Sequence, residues 1–475
     1  MKSRSSYPLK ENQAHGILAS RLSCSLVLGF ALVIPGTGAS VAQCPTPSFG
    51  PPTIFPAGDG PQALAVGDFD EDGTPDLAEA NENSFDVYIF LGGFNLVPVP
   101  FPTGEVDPSG GLAVGDFNGD GHLDLVVSGG FFHPLVLLLG DGRGSFGPPT
   151  GVGGMSGISV AAGDFNSDGT DDLAVATSDS VSILLGPSLT GGTFPAGGRA
   201  FTRNSIAVGD FNGDGDLDVV VTNPGSDFAG NTVLVLLGEG TGGLSDAASF
   251  TVGANPASLV VGKFNADNVL DLAVLNQDAS SVSILLGDGN GGFVPHATLP
   301  GGVEWIAAGD FNCDGNLDLA DTVSVSLGDG TGGFCPFTPI DVQVNSHSVA
   351  VADFNRDGKP DLAFAGEGGD NVEILLNTCT APKSGFKVLR DLINGLPDTA
   401  LKAVGLRSAM LSVLADTETA NASGETDEAV RKLQNLRRHF DGCPPAADTN
   451  DWIIDCEAQV RFRTLLDGLI ASLGG

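Results

Sequence analysis

Apolar and polar positions along this chain alternate in short runs, as strands require, and not in the broad stripe of a helix. The stretch from Ser205 to Phe250 shows the arrangement. Ser205–Gly209 is built of small residues and predicts a short, crowded first strand. Leu217–Val221 predicts a second strand, and the apolar run Thr232–Leu237 a third that is buried on both faces. The segment ending at Phe250 supplies a fourth. An Asp-, Asn- and Gly-rich turn joins the first two strands. The turn at residues 238–243, rich in Gly, joins the last two and reappears at 140–145, 287–292 and 328–333.

This unit is repeated. Its Asp-rich turn reads Gly67-Asp68-Phe69-Asp70-Glu71-Asp72-Gly73-Thr74-Pro75-Asp76-Leu77 in the first copy. The leading Asp recurs at Asp116, Asp164, Asp210, Asp310 and Asp353, with Lys263 in that place in the fifth of seven copies. The steps between copies are 48, 48, 46, 53, 47 and 43 residues, the period of a four-stranded propeller blade. The Phe after each leading position (Phe69, Phe117, Phe165, Phe211, Phe264, Phe311, Phe354) reads as core between blades. The fold class expected is an all-β seven-bladed β-propeller with a small C-terminal all-α helical domain. The expected divisions are a signal peptide at 1–42, the propeller at 43–380 and the helical domain at 381–475.

The string Gly-Asp-Phe-Asn-Gly-Asp-Gly-x-x-Asp-Leu resembles the FG-GAP/VCBS repeats of integrin α-subunit propellers and of many bacterial secreted proteins, over residues 48–380. Its spacing lets side chains at positions 1, 3, 5 and 9 and the carbonyl of position 7 converge on one ion, with Gly at position 6 permitting the sharp turn. Several hard anionic oxygens in one short loop suit calcium. The resemblance further implies that the last Asp binds through both oxygens. The expected ligands are Asp68, Asp70, Asp72, Thr74 and Asp76; Asp116, Asn118, Asp120, His122 and Asp124; Asp164, Asn166, Asp168, Thr170 and Asp172. In the later copies they are Asp210, Asn212, Asp214, Asp216 and Asp218; Asp310, Asn312, Asp314, Asn316 and Asp318; Asp353, Asn355, Asp357, Lys359 and Asp361. The fifth copy keeps Asn265, Asp267 and Asp271 but has Lys263 at position 1 and Asn268 at position 6. About six calcium sites are therefore expected, with the Lys263 ammonium standing in for the seventh ion.

The seventh unit has three strands, at 349–351, 362–364 and 372–376, and no Phe-containing outer strand after them. Ser48–Phe55 looks like the outer strands elsewhere, so the N-terminal strand is expected to complete blade seven. That would make Cys44 and Cys379 neighbours and a disulfide. Cys313 with Cys335, and Cys443 with Cys456, are the other expected pairs among fifteen possible pairings.

The chain ends differ from the repeats. Lys2, Arg4, Lys10 and Arg21 precede an apolar run at 26–34, and Ser40-Val41-Ala42 fits a cleavage site, which predicts secretion. After Lys383 the apolar spacing becomes helical, at 386–396, 398–414 and 425–440, with a loop at 419–424 and a last helix from Asn450 or Asp451. Asn450-Asp451-Trp452-Ile453-Ile454-Asp455-Cys456 resembles the FIMAH-like helical modules of bacterial secreted proteins.

Charge narrows the partners. The chain carries a net −37, and residues 43–380 hold only six basic side chains. Such a surface repels nucleic acid and anionic membrane, and no membrane span is expected. No nucleophile–His–acid signature or His-rich metal motif occurs, so no catalytic residues are assigned and the chain is read as no enzyme. An extracellular polysaccharide- or phosphodiester-active enzyme on a propeller scaffold is the alternative. The favoured reading is a secreted or cell-surface, monomeric binding and adhesion module for protein or glycan. Its ligand would meet the face opposite the Asp-rich loops, where Phe131, Phe132, His133, Phe228, Trp305 and His347 are the candidates.

Overall fold

The computed structural model describes residues 46–379 apart from 93–97, 105, 107, 109, 131–132, 197–204, 226–229, 246–247, 303, 344–345 and 367–368. Beyond them it describes 406–422, 426–437, Ile393 and Leu466. The signal segment, Cys24, Cys44, Phe131, Phe132, Phe228, Cys443, Cys456 and, Leu466 apart, the last predicted helix lie outside the described residues.

Twenty-eight strands form seven four-stranded antiparallel sheets. Blade 1 runs outward through β2 (Pro61–Gly67), β3 (Asp76–Asn81), β4 (Asp86–Phe90) and β5 (Val99–Pro102). Blades 2 to 6 repeat it: β6–β9 at 111–156, β10–β13 at 159–195, β14–β17 at 206–251, β18–β21 at 256–300 and β22–β25 at 306–339. Blade 7 has β26 (Ser346–Ala352), β27 (Asp361–Gly366) and β28 (Asn371–Leu375). Its outer strand is β1 (Thr53–Pro56), which pairs antiparallel with β28 from Thr53↔Ile374 to Pro56↔Asn371. The predicted completion of blade 7 by the N-terminal strand is therefore present. Each inner strand neighbours the next, and β26 neighbours β2, so the ring closes.

Sequence explains the layers. The second strand of each blade is buried along most of its length, as in Asp218-Val219-Val220-Val221-Thr222, because sheets cover it on both faces. Inner strands use Ala, Val and Ser, since seven of them meet around one axis. There the hydroxyls of Ser205, Ser258 and Ser348 accept the Leu259, Ile306 and Leu64 N–H groups of the following blades. Outer strands are largely exposed.

The seven loop Phe side chains are all buried, at 0–2% exposure, and pack between blades as expected. Most meet a partner from the next blade. Phe69 packs edge-on against Phe146, Phe211 against Phe293 and Phe264 against Phe334, at ring separations of 5.5, 5.5 and 5.6 Å. Phe311 meets Phe49 at 6.1 Å, so the residue just before β1 does for blade 7 what the turn Phe does elsewhere. The Gly before the leading position is fixed by the same ring in several copies: a Cβ on Gly67, Gly262 or Gly309 would lie 2.7, 3.0 or 2.9 Å from the loop Phe ring, whereas the seventh copy has Ala352 there.

Two readings are corrected here. Cys313 bonds to Cys379, with Cα atoms 5.9 Å apart, and not to Cys335; Cys379 is therefore not the partner of Cys44. Cys335 is disulfide-bonded to a residue outside the described set. The sixth loop, which holds Cys313, lies against the end of the neighbouring blade after β28, so the nearest thiol comes from blade 7 and not from its own turn. The second correction concerns the C-terminal helices. α1 (Leu406–Ala422) continues through part of the predicted loop at 419–424, and α2 (Thr426–Arg437) follows. The Thr417 hydroxyl bonds back to the Val413 carbonyl, which keeps a weak helix former inside α1. Met410, Leu414, Leu433 and Leu436 are buried, and the two helices pack on each other. Among the described residues no helix is long and apolar enough to cross a membrane.

Phe311→Ala removes a wholly buried ring at the seam between blades 6 and 7. It should lower unfolding stability by about 3–5 kcal/mol in denaturant titration.

Candidate metal loops and the opposite face

Each Asp-rich loop is folded by its own carboxylates. In the second, Asp116 Oδ1 accepts the Gly119 and Asp120 N–H groups at 2.8 and 3.1 Å, and Oδ2 accepts the Gly121 N–H at 2.8 Å. Asn118 Oδ1 takes the Asp120 N–H at 2.7 Å, and Asp120 Oδ1 the His122 N–H at 3.0 Å. Position 1 thus gathers N–H groups from positions 4 to 6 and turns the chain tightly. The loops led by Asp164, Asp210, Asp310 and Asp353 close the same way onto the position-6 N–H, at 2.7–3.1 Å, and Asp68 does so at 2.8 Å.

Six loops carry two left-handed residues, at positions 4 and 6. At position 4 these include Glu71, Ser167, Cys313 and Arg356, with φ between 56° and 60°, an unfavourable conformation for such side chains. The fifth loop has one only, Asn268 at position 6 with φ 67°. Without a carboxylate at position 1 nothing draws the position-4 peptide inward. Asn268 takes the left-handed conformation that Gly takes at position 6 of the other loops. The Lys263 ammonium, expected to stand in for an ion, is exposed and, among the described residues, forms no ion pair.

The last Asp has a role that sequence reasoning missed. In every copy its Oδ2 accepts the N–H of the loop Phe and its Oδ1 an N–H at the end of the third strand or within two residues of it. For Asp124 these come from Phe117 at 3.2 Å and Gly140 at 2.8 Å. Asp76, Asp172, Asp218, Asp318 and Asp361 repeat the pair. So does Asp271 in the fifth loop, with Phe264 at 2.9 Å and Gly287 at 3.0 Å. The signal was present in the sequence: Asp271 persists where two other loop positions have changed.

The donor set suits a hard cation. Asp68, Asp70 and Asp76 offer carboxylate oxygens within 4.8 Å of one another, and Asp68 Oδ1 is buried with no hydrogen-bond partner among the described residues. Burial pushes the Asp76, Asp124 and Asp361 carboxyls up to about 6 and Asp318 to about 7, against backbone hydrogen bonds that favour the charged form. A bound cation would offset that cost.

Neighbouring loops also touch. Glu71 meets His122 Nδ1 at 2.6 Å, the Asp116 N–H donates to Asp171 Oδ2 at 2.8 Å, and Arg356 reaches from the seventh loop to Asp72 Oδ1 at 2.8 Å. Lys359 Nζ lies 3.0 Å from Asp357 within its own loop. The Gly-rich turns share this face: Gly144, Gly242, Gly291 and Gly332 donate N–H groups to the carbonyls of Phe69, Phe165, Phe211 and Phe264 in the preceding blade.

On the opposite face, Trp305 is half-buried in the segment before β22 (Ile306–Gly309). Beside it in sequence, Glu304 pairs with His347 Nδ1 of blade 7 at 2.8 Å, a partner the sequence reading did not include. His133 lies before β8 (Pro134–Leu138) in blade 2, half-buried. The structure thus links one candidate, His347, to the chain segment of another, Trp305.

A family model for the FG-GAP-like repeat matches residues 68–127, 164–221, 210–274 and 263–320, and one for the FG-GAP repeat matches 110–145. No curated protein matches. Among solved structures the chain is similar to BBS1N, crystallised in complex with ARL6DN, with 15% identity and a TM-score of 0.51 over 69% of this chain and 97% of that one. An Agrocybe aegerita lectin that recognises non-reducing terminal N-acetylglucosamine matches at 18% identity and TM-score 0.43, covering 66% and 94%. The exotype rhamnogalacturonan lyase YesX matches at 14% and 0.42, covering 67% and 62%. The likeness to BBS1N is one of fold.

Asp271→Ala would leave two backbone N–H groups without acceptors, at about 1–3 kcal/mol each. Thermal unfolding should show the loss equally with calcium and with EDTA, because this loop lacks the position-1 carboxylate.

Proposed function

We propose that this FG-GAP-repeat β-propeller is a secreted, calcium-stiffened binding module whose ligand, an extracellular protein or glycan, meets the face opposite the Asp-rich loops. The observation that carries the calcium reading is the division of the loops. Six share one doubly left-handed fold around a position-1 carboxylate, and the copy without that carboxylate lacks it. The buried, unpartnered Asp68 Oδ1 beside Asp70 and Asp76 supports the same reading among the described residues. Calcium would be held by positions 1, 3, 5 and 9 with the carbonyl of position 7. Its role is structural: an ion that binds only the folded state stabilises it by ~2.7 kcal/mol at a hundredfold excess over its dissociation constant.

Secretion is supported by disulfide bonding of Cys313, Cys335 and Cys379, which persists in oxidising compartments. The ligand face is assigned by elimination of the other. Its counterpart is engaged in loop-to-loop and loop-to-turn hydrogen bonds, whereas Glu304 and Trp305 stand on the connection before β22 and His347 at the start of β26.

Native mass spectrometry should count one calcium ion fewer in Asp116→Ala than in the wild-type chain, and one more than wild type when Lys263→Asp and Asn268→Gly are combined. A wild-type count of none refutes the calcium reading. An array of glycans and matrix proteins should give a ligand whose binding falls at least tenfold in Trp305→Ala or His347→Ala. Hydrolytic or lyase activity that survives EDTA would instead favour an enzyme.

A further inference from the structure

The seven blades can be compared at one register, three residues beyond the last loop Asp. Four blades place Val127, Val175, Val221 and Val274 there, and blade 7 places Phe364; all are buried. Blade 6 has Asp321, whose Oδ1 accepts the Val323 and Ser324 N–H groups and the Ser324 hydroxyl, so it organises a turn. Blade 1 has Glu79, and no turn explains it.

Glu79 is wholly buried, as is Asn81 two residues on. Glu79 Oε2 accepts the Asn81 amide N–H at 3.1 Å. Glu79 Oε1 and Asn81 Oδ1 make no well-aligned hydrogen bond among the described residues, although the Gly58 N–H acts on the Glu79 carboxyl and the Asn81 side chain on Asp86. Two wholly buried oxygens without well-aligned partners on one strand are costly. Tyr88 stands across from Glu79 and Asp86 across from Asn81, so all four side chains share one face of blade 1. Leu77 and Phe90 of the same face pack on Ala363, Val372 and Ile374 of blade 7. The charged groups that act on Glu79 are Asp86 and Asp370, both carboxylates, and Asp370 comes from the loop before β28. Burial first, and these carboxylates after it, push the Glu79 carboxyl up to about 8. The backbone over Asn81 is tightly closed: a Cβ on Gly58 would fall 2.4 Å from the Asn81 amide.

We propose that the seam between blades 7 and 1 holds a further hard-cation site, toward the face opposite the Asp-rich loops. Glu79 Oε1 and Asn81 Oδ1 are its inner oxygens, and Asp86 and Asp370 supply the surrounding negative charge. An anionic and an amide oxygen with no basic group acting on them among the described residues match the oxygen-only preference of calcium-like ions. The site serves the seam at which the two ends of the propeller join, and it is independent of the six Asp-rich loops.

Terbium, a luminescent probe for calcium-like oxygen sites, tests this with the full chain. Tyr88 is one of two tyrosines in the sequence and lies beside Glu79, so it reports locally. Terbium titrated into calcium-free protein should show tyrosine-sensitised emission that Tyr88→Phe abolishes. Glu79→Gln and Glu79→Val should each reduce it at least fivefold, while Asp68→Asn, in the first loop, retains it. Glu79→Val installs the residue four other blades carry at this register, so folding, checked by circular dichroism, is expected to persist. Native mass spectrometry with calcium should count one ion fewer in Glu79→Val. Emission unchanged in both Glu79 variants, emission lost only in Asp68→Asn, or no Tyr88-dependent emission at all would overturn the site. In that case Glu79 is a buried neutral acid.

Discussion

The propeller depends on one repeated interaction, a buried carboxylate that receives two backbone N–H groups from different parts of its blade. Asp76 and its six counterparts bind the loop Phe N–H with one oxygen and an N–H at or just beyond the end of the third strand with the other. The first of these bonds sets the position of the Phe ring, and the second fixes the end of the third strand against the loop. Once both are made, the ring lies between blades and the strand order within the blade is fixed. An anion in so dry a place is costly, and the backbone bonds offset part of that cost. The leading Asp is an addition to this arrangement, since the fifth loop retains it with Lys263 in that place.

From that anchor the ring is assembled by contacts that always run between neighbours. Phe packs on Phe or Leu of the next blade, Gly-rich turns donate to the preceding Phe carbonyl, and inner-strand Ser hydroxyls bridge adjacent blades. Nearly all stabilisation is thus local to a seam. The seam between blades 7 and 1 differs from the rest in its partners: Arg356 bridges to Asp72, and Glu79 stands where five other blades place Val or Phe.

Most of the fold is legible in the sequence because one physical unit is written seven times. The short seventh unit and the Phe-bearing segment at 48–55 together predict the closing strand, and β1 with Phe49 takes that place. What escaped the reading were contacts between units. Closeness within one blade points Cys313 to Cys335, whereas the loop that holds Cys313 lies against the end of the next blade. Glu79 was invisible for a different reason, since a lone Glu in an apolar strand reads as a solvent-facing alternation until both neighbouring sheets are seen to cover it. Glu304 likewise acquires meaning only from His347, which is 43 residues away and one blade on. At the loops the carboxylate positions are readable from spacing, but the division of labour is not: position 1 folds the loop, and position 9 holds the blade.

The pairing of β1 with β28 has a consequence for how the molecule comes into being. Thr53 meets Ile374, so the strand made first must wait for more than three hundred residues before its partner exists. Six blades can form in order as the chain emerges, each from consecutive residues, but the seventh cannot. Until then the chain is an open arc with an unpaired leading strand and an uncovered flank on blade 1. Such non-local pairing carries a large loop-closure cost and is slow compared with hairpin formation. Closure of the ring is therefore the last event of propeller folding, and the arc that precedes it is the state most exposed to joining with another copy of itself.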